Sequence, residues 1–316
     1  MTAPNHIRYL RHQDIDLAKW DACMEMAPNG LIYGRSFYLD QLSAHWDALV
    51  LNDYQAVMPL TWNKKYGFHY LYQPWFSTAL GVFGSLPADL SVADFLAAIP
   101  KKFSYWDFAL NEYNPLQPSP AYHLTPRVNY FLNLDRPYEE IAAGYKRLAT
   151  RALRKALDHN LEIIRQPGAA ELIGHYRQAY PSMGVPDIAY DRLNKCLAIA
   201  AEKGNIKNYL ARTADGEIVA FYCLLADEKF VYSLLGGSTP KGKEMAAFYL
   251  LTDAAIRDHA AGPPRIFRFE GSDIPGIAFF NAQFGADLTH YPYLVSNRLP
   301  WPLKWAKPSR HRPLTR

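Results

Sequence analysis

Cysteine is scarce. Cys23, Cys196 and Cys223 are the three in 316 residues, far apart and odd in number, which excludes a disulfide framework and suits a reducing compartment. No cysteine has a second cysteine or a histidine at ligand spacing, and the ten histidines are scattered. H-E-x-x-H, paired C-x-x-C and G-x-S-x-G are all missing, so the common zinc and serine hydrolase signatures are excluded and no metal is expected. Long apolar runs are missing too: none approaches the roughly 18 uncharged residues of a membrane helix, and the opening "MTAPNHIRYLRHQD" has no apolar core of signal-peptide length. The expectation is a soluble, cytoplasmic protein that does not insert into a membrane. Charge of one sign is also in short supply. The formal charge is +4, but Lys304, Lys307, Arg310, Arg312 and Arg316 supply it from an acid-free end that contains Pro308 and Pro313. With those five set aside the chain is near neutral, and residues 301–316 read as a solvated basic tail.

What is present is globular composition, 49% apolar and 14% aromatic, in a chain longer than the usual single domain. Strand-like segments at 48–50, 55–60 and 68–72 precede an amphipathic helix near 92–99 and the strand "YWDFAL" at 105–110. From Asn208 the same order recurs: "YLART", a turn at Asp215 and Gly216, "EIVAFYCLL", "KFVYSLL", a helix over 243–260, and "RIFRF". Asp53 and Asp215 lie 162 positions apart, as do Tyr70 and Tyr232, and Phe108 and Glu270, the mark of an internal repeat. Hairpin-like strands clustered before each long helix predict an α/β fold with a mixed sheet rather than regular parallel crossovers. The expected parts are an amino-terminal half at 1–135, a carboxy-terminal half at 136–300 and the tail. Between the repeats, "RPYEEIAAGYKRLATRALRKALDHNLEII" reads as one long helix from its alanine and leucine content. Lys146, Arg147, Arg151, Arg154 and Lys155 bring several cations onto one face of it. A second helix is expected over 190–202, after a Pro and Gly loop at 181–186.

Three stretches carry chemistry. In "GGSTPKGKEMAAFYLL", Gly236 and Gly237 allow close backbone approach, and the following helix presents free N–H groups to an anion. Lys241 and Lys243 would add charge beside a pyrophosphate; the alternative is an ordinary strand-to-helix turn. Gly237–Lys243 also matches the start of a P-loop, but Glu244 stands where that motif needs Ser or Thr for Mg²⁺. In "FRFEGSDIPGIAFFNAQFGA" an apolar strand ends on Glu270. There a carboxylate in aromatic surroundings would serve as a general base or bind a cation. The alternative is a turn in which Glu270 accepts backbone N–H bonds and Ser272 or Asp273 caps the next helix, with Pro275 in its first turn. Tyr232 is either an acid or substrate contact, or a core tyrosine with a satisfied hydroxyl. In "YLYQPWF", Tyr72, Gln73 and Trp75 are candidate acceptor contacts or core. The face of Arg147 and Arg151 would receive a phosphate-bearing acceptor or RNA, or is simply solvated.

Three strands, a helix entered through a Gly-rich loop, a strand, a short helix ending in "FGA", then a further strand: over residues 30–297 this order resembles the GNAT acyltransferase fold in tandem and is similar to the FemAB-like transferases. The motifs that carry it are "VMPL" at 57–60, "YQPWF" at 72–76, "TRALRKAL" at 150–157, "LLGGS" at 234–238 and "FFNAQFGA" at 279–286. The resemblance implies two tandem GNAT-like halves of the acyl-CoA N-acyltransferase fold. It implies transfer of an acyl group, from acyl-CoA such as acetyl-CoA or from an aminoacyl-tRNA, to the amine of a small molecule or cell-wall precursor. The donor would lie on Leu235, Gly236, Gly237, Ser238, Lys241, Gly242 and Lys243 with Asn281 nearby, and the acceptor in a cleft between the halves. Backbone N–H groups along Tyr232–Leu235 would hold the oxyanion. Two positions depart from the families. Phe280 stands where many GNAT enzymes carry a proton-donating tyrosine, and Asn281 where FemAB-like transferases often have lysine. These departures keep open a non-catalytic binding module on the same fold.

Overall fold

Near-continuous burial along residues 46–51, 56–61 and 219–226 marks strands covered on both faces. The computed structural model describes residues 5–262 and 266–307, and the chain divides into two compact units. One runs to Arg127 and takes up the chain again from His290; the other is Val128–Thr289.

The first unit contains β1 (Ile7–Leu10), α1 (Leu17–Met26), α2 (Ser36–Leu42), β2 (His45–Leu51), β3 (Ala56–Lys65), β4 (Phe68–Tyr72), β5 (Phe83–Gly84), α3 (Val92–Ala98) and β6 (Phe103–Ala109). The chain then leaves through β7 (His123–Asn133). The second unit follows with α4 (Tyr138–Ala143), α5 (Arg147–Asp158), β8 (Glu162–Arg165), α6 (Ala169–Ala179), α7 (Asp187–Glu202), β9 (Ile206–Arg212), β10 (Ile218–Ala226), β11 (Phe230–Ser238), α8 (Pro240–Glu244), α9 (Ala247–His259), β12 (Ile266–Arg268) and α10 (Pro275–Asn281). Finally β13 (Asp287–Asn297) and α11 (Leu303–Ala306) belong mostly to the first unit.

The strands form one mixed sheet, and each unit's share of it repeats one topology. In the first, β1, β2, β3 and β4 pair antiparallel in sequence, β4 pairs parallel with β6, and β13 pairs antiparallel with β6. In the second, β8, β9, β10 and β11 pair antiparallel, β11 pairs parallel with β12, and β7 pairs antiparallel with β12. In each unit the last strand of that series comes after the other repeat. The repeated strand order and the mixed α/β arrangement expected from sequence are present, with a helix packed on the strands of each unit. Phe95 and Leu96 of α3 bury against Leu49, Met58, Leu71 and Trp106; Leu251 and Ile256 of α9 bury against Val219, Val231 and Phe267. At roughly 1.5–3 kcal/mol per fully buried large apolar side chain, these faces are the main stabilising term.

Several local expectations need correction. The long helix read over 136–164 is broken by Gly144–Lys146 into α4 and α5, and its end "LEII" is strand β8, entered through Asn160 at φ 49°. The helix read over 243–260 is likewise split, because Ala246 is left-handed at φ 54°. Gly236, Gly237 and Ser238 are not loop: they pair with Tyr222, Phe221 and Ala220 in β11. In the "EGSD" turn neither Ser272 nor Asp273 caps α10; its N-cap is Ile274, with Pro275 in the first turn as expected. The part of the basic tail from Pro308 onward lies outside the described residues.

The "FGA" turn is where the α4–α5 segment docks. Lys146 donates its N–H to the Gln283 carbonyl at 2.8 Å. Gly285 has φ 72°, and a Cβ there would stand 2.6 Å from the Gly144 carbonyl oxygen. Gly285→Ala is expected to destabilise by about 1–3 kcal/mol, read as a lowered urea midpoint; an unchanged midpoint would contradict this close approach.

Candidate active site

β11 and β12 are parallel neighbours for three residues only: Phe230 with Ile266, Val231 with Phe267, Tyr232 with Arg268. β11 then continues to Ser238, while the chain after Arg268 turns away through Glu270 and Gly271, both left-handed at φ 54° and 65°. Among the described residues no strand pairs with β11 beyond Tyr232 on that side. The β10–β11 register also shifts between Cys223 and Leu224, so Leu234 is bulged, and a bulge bends and re-aims its strand. The result is a parting of two parallel strands with backbone groups of Ser233–Leu235 along one edge.

The equivalent place in the first unit is filled. Pairing of β4 with β6 runs through Tyr72 and Asp107, Tyr72 being the last residue of β4. Beyond it Gln73 donates its N–H to the Asp107 carbonyl at 3.0 Å, and its Oε1 accepts the Ala109 N–H at 3.1 Å. Leu80 then bridges to Leu110. Gln73 is thus a clamp for the segment beyond β4. The Tyr72 hydroxyl accepts the Ala44 N–H at 2.9 Å, while Trp75 is 47% exposed.

The turn after β12 is held by a buried polar node. Arg268 is 1% exposed and Glu270 5%. Arg268 Nε donates to Glu270 Oε1 at 2.9 Å, and Asn129 Nδ2 to Oε2 at 2.8 Å. The Glu270 N–H returns to Asn129 Oδ1 at 2.9 Å. Asn281 Nδ2 donates to Ser272 Oγ at 3.0 Å and to the Glu270 carbonyl at 3.3 Å. The Arg268 guanidinium lies over Phe131, Phe230 and Tyr232, at 4.6, 5.3 and 5.8 Å from the ring centres. A left-handed glutamate costs backbone energy, of order 1 kcal/mol or more, and these bonds offset it. Asn129 and Arg268 are not among the residues that the sequence singles out. The available signal is an arginine alternating with phenylalanines in "RIFRFE"; Asn129, 141 positions before Glu270, gives none.

Tyr232 is fully buried and its hydroxyl donates to Asp227 Oδ2 at 2.8 Å, the geometry of the core alternative. Phe280 stacks on Phe248 at 5.2 Å and meets Tyr249 at 4.7 Å. A Cβ on Gly236 would stand 2.6 Å from the Phe248 ring, and one on Gly237 2.5 Å from the Tyr180 hydroxyl, so both glycines admit aromatic rings over the strand. The Thr239 side chain caps α8 by accepting the Gly242 N–H at 3.1 Å. A Cβ on Gly242 would collide with the Val219 carbonyl at 1.9 Å. Lys241 pairs with Glu217 at 2.6 Å and Asp215 at 3.6 Å, while Lys243 is exposed. Leu235 and Ser238 are buried in β11. Burial pushes the Cys196 and Cys223 thiols up to about 12, so neither is a thiolate nucleophile near neutral pH.

Arg147, Arg151, Arg154 and Lys155 all lie on the exposed face of α5, and no salt bridge among the described residues reaches them. The opposite face buries Ala149 and Ala156. Tyr138 and Tyr145 anchor this segment by donating to the buried carboxylate of Asp253 on α9, at 2.7 and 3.1 Å. A surface cleft of about 310 Å³ elsewhere in the unit, lined by Arg165, Lys207, Tyr209 and Asp258 among others, includes none of the residues expected from sequence. Its Arg165 and Asp258 close on each other at 2.8 Å.

Removing one member of the buried pair should be costly. Arg268→Met is expected to lower stability by about 3–5 kcal/mol, and Arg268→Met with Glu270→Gln to recover much of it, because the second change removes the stranded charge. Equal loss in the single and double variants, measured by denaturant unfolding, would show that the two residues are not coupled.

Residues 144–275 match a family described as an acetyltransferase (GNAT) domain. A search of curated proteins finds no match. Among solved structures, FemX superposes with a TM-score of 0.66 at 12% identity, over 95% of this chain and 99% of that one. A tandem GNAT protein from the clavulanic acid biosynthesis pathway gives 0.56 at 12%, over 93% and 99%. L-PGS from Bacillus licheniformis gives 0.53 at 14%, over 92% and 95%. The parted parallel strands, the repeated strand order and these likenesses agree: the chain has the GNAT/FemAB-like acyltransferase fold, and the match to the GNAT family lies within its second unit.

Proposed function

We propose that the protein is an N-acyltransferase that moves an acyl group, acetyl in the simplest case, from an acyl-CoA to an amine on a small molecule or a cell-wall precursor. The parting of β11 from β12 beyond Tyr232 carries this reading. A thioester laid along that edge would meet the backbone N–H groups of Ser233–Leu235 at its carbonyl oxygen. Fixed donors aimed at a developing oxyanion are worth several kcal/mol in such transfers. The amine nitrogen attacks the carbonyl carbon, the C–N bond forms, and collapse of the tetrahedral adduct breaks the C–S bond. Phe280 has no proton to give the departing sulfur, so in this reading the proton lost by the amine reaches it through water. Glu270, spent on Arg268 and Asn129, acts as a positioning residue that shapes the edge rather than as the direct base. Lys243, exposed on α8, is the cation left for the donor's phosphates. Tyr72 and Gln73 have structural partners within their own unit.

A second reading changes the donor. The four exposed cations of α5, unpaired among the described residues, suit the backbone of an aminoacyl-tRNA, and the self-capped entry to α8 leaves fewer N–H groups for a pyrophosphate than a bare helix start would.

Thermal unfolding separates the donors. Acyl-CoA at a hundred times its dissociation constant is expected to stabilise the protein by about 2.7 kcal/mol, and Lys243→Glu to weaken the response. Gly237 is unsuitable for this test because its substitution would displace Tyr180. A response confined to aminoacyl-tRNA and abolished by Arg147→Glu with Arg151→Glu would replace acyl-CoA as donor. Silence toward both would overturn the transferase reading.

A further inference from the structure

Two tryptophans near the carboxy terminus stand almost bare. Trp301 is 78% and Trp305 83% exposed, and Leu303 between them is 36% exposed. Exposed single apolar residues are ordinary, but two indoles and a leucine within five residues form a patch with a recurrent purpose. The segment is not loosely attached. Asn297 Nδ2, at the end of β13, donates to the carbonyls of Lys304 and Lys307, each at 3.1 Å. The Lys304 N–H bonds to the Pro300 carbonyl and the Trp305 N–H to the Pro302 carbonyl. The rings are therefore presented outward by a pinned turn.

The described cations of this stretch, Arg298, Lys304 and Lys307, are all exposed, and after Asp287 the sequence contains no acid. Indole rings favour the boundary between hydrocarbon and headgroups, where an apolar body and a polar N–H are both satisfied. Neighbouring cations gain from anionic lipid, and the two signals together give an attachment that neither gives alone. No helix among the described residues is long and apolar enough to cross a membrane, so this chemistry lies on a bilayer rather than through it.

We propose that the turn at 301–307 docks the protein on an anionic bilayer surface by seating Trp301 and Trp305 among the headgroups. Leu303, whose aliphatic side chain gains little from stacked bases but buries well at an acyl boundary, favours lipid over nucleic acid. This surface stands independently of the donor edge in the second unit.

The test is flotation of the full chain with vesicles of phosphatidylglycerol and phosphatidylcholine, against phosphatidylcholine alone. Binding is expected only with the anionic lipid and is expected to fade as salt approaches about 1 M, where screening shortens to about 3 Å. Trp301→Ser with Trp305→Ser should weaken binding by about tenfold or more with an unchanged thermal midpoint, because both rings are exposed. Absence of binding at low salt overturns the proposal. So does binding indifferent to the two tryptophans, and so does tryptophan-dependent binding of single-stranded RNA without any binding of vesicles.

Discussion

The buried contact between Arg268 and Glu270 is the constraint on which the second unit's site depends. β12 supplies only three residues of pairing, too few to fix the path of the chain beyond Arg268. The guanidinium supplies the missing definition. Lying over Phe131 of β7 and over Phe230 and Tyr232 of β11, it spans the strands on both sides of β12, and through Glu270 it sets the left-handed turn. Asn129, also on β7, holds both the carboxylate and the backbone of that turn. An ion pair removed from water contributes little net stability; its effect here is to select one geometry, in which the chain turns away and leaves β11 with an open edge.

The first unit shows what the same topology looks like without that node. Tyr105 stands beside Tyr70 where Arg268 stands beside Tyr232, and the segment beyond β4 is drawn back against β6 by Gln73 and Leu80. A sheet edge closed by its own chain has no room for a ligand, so the repeated fold has one open parting and one sealed one. The asymmetry arises from side chains at corresponding positions rather than from any difference in strand order.

Much of the fold is legible in the sequence because it rests on periodicity. The recurrence of strand, strand, strand, helix, strand at a constant offset survives in the element bounds: β3 starts at Ala56 and β10 at Ile218, β4 at Phe68 and β11 at Phe230. The illegible parts depend on single backbone angles and distant partners. A left-handed Ala246 has no signature in composition, so the helix over 243–260 reads as continuous; Gly144 and Asn160 are termination signals, outweighed in the other helix by its alanine and leucine content. Gly236 and Gly237 read as a flexible loop because glycine is ambiguous in sequence; their neighbours Phe248 and Tyr180, distant along the chain, explain them as strand. Glu270 stands out in the sequence as the residue needing explanation, yet its meaning lies in Asn129, which sequence does not connect to it.

Charge obeys the same division between local and distant information. Lys241 and Lys243 look equivalent in sequence, but Lys241 faces Glu217 and Asp215 across the turn and Lys243 is exposed to solvent. The cations of α5 look like a helix that could pair with anything, yet several acids of its own unit are engaged elsewhere: Asp258 with Arg165, Glu162 with Arg212, Asp253 with Tyr138 and Tyr145. With those carboxylates committed, Arg147, Arg151, Arg154 and Lys155 outnumber the one acid of α5 itself, Asp158, where the helix meets solvent, and such a field acts on anions that approach that side of the domain. The docking of α4 and α5 through Asp253, which draws in two tyrosines and frees the opposite helix face, is thus also what makes that face electropositive.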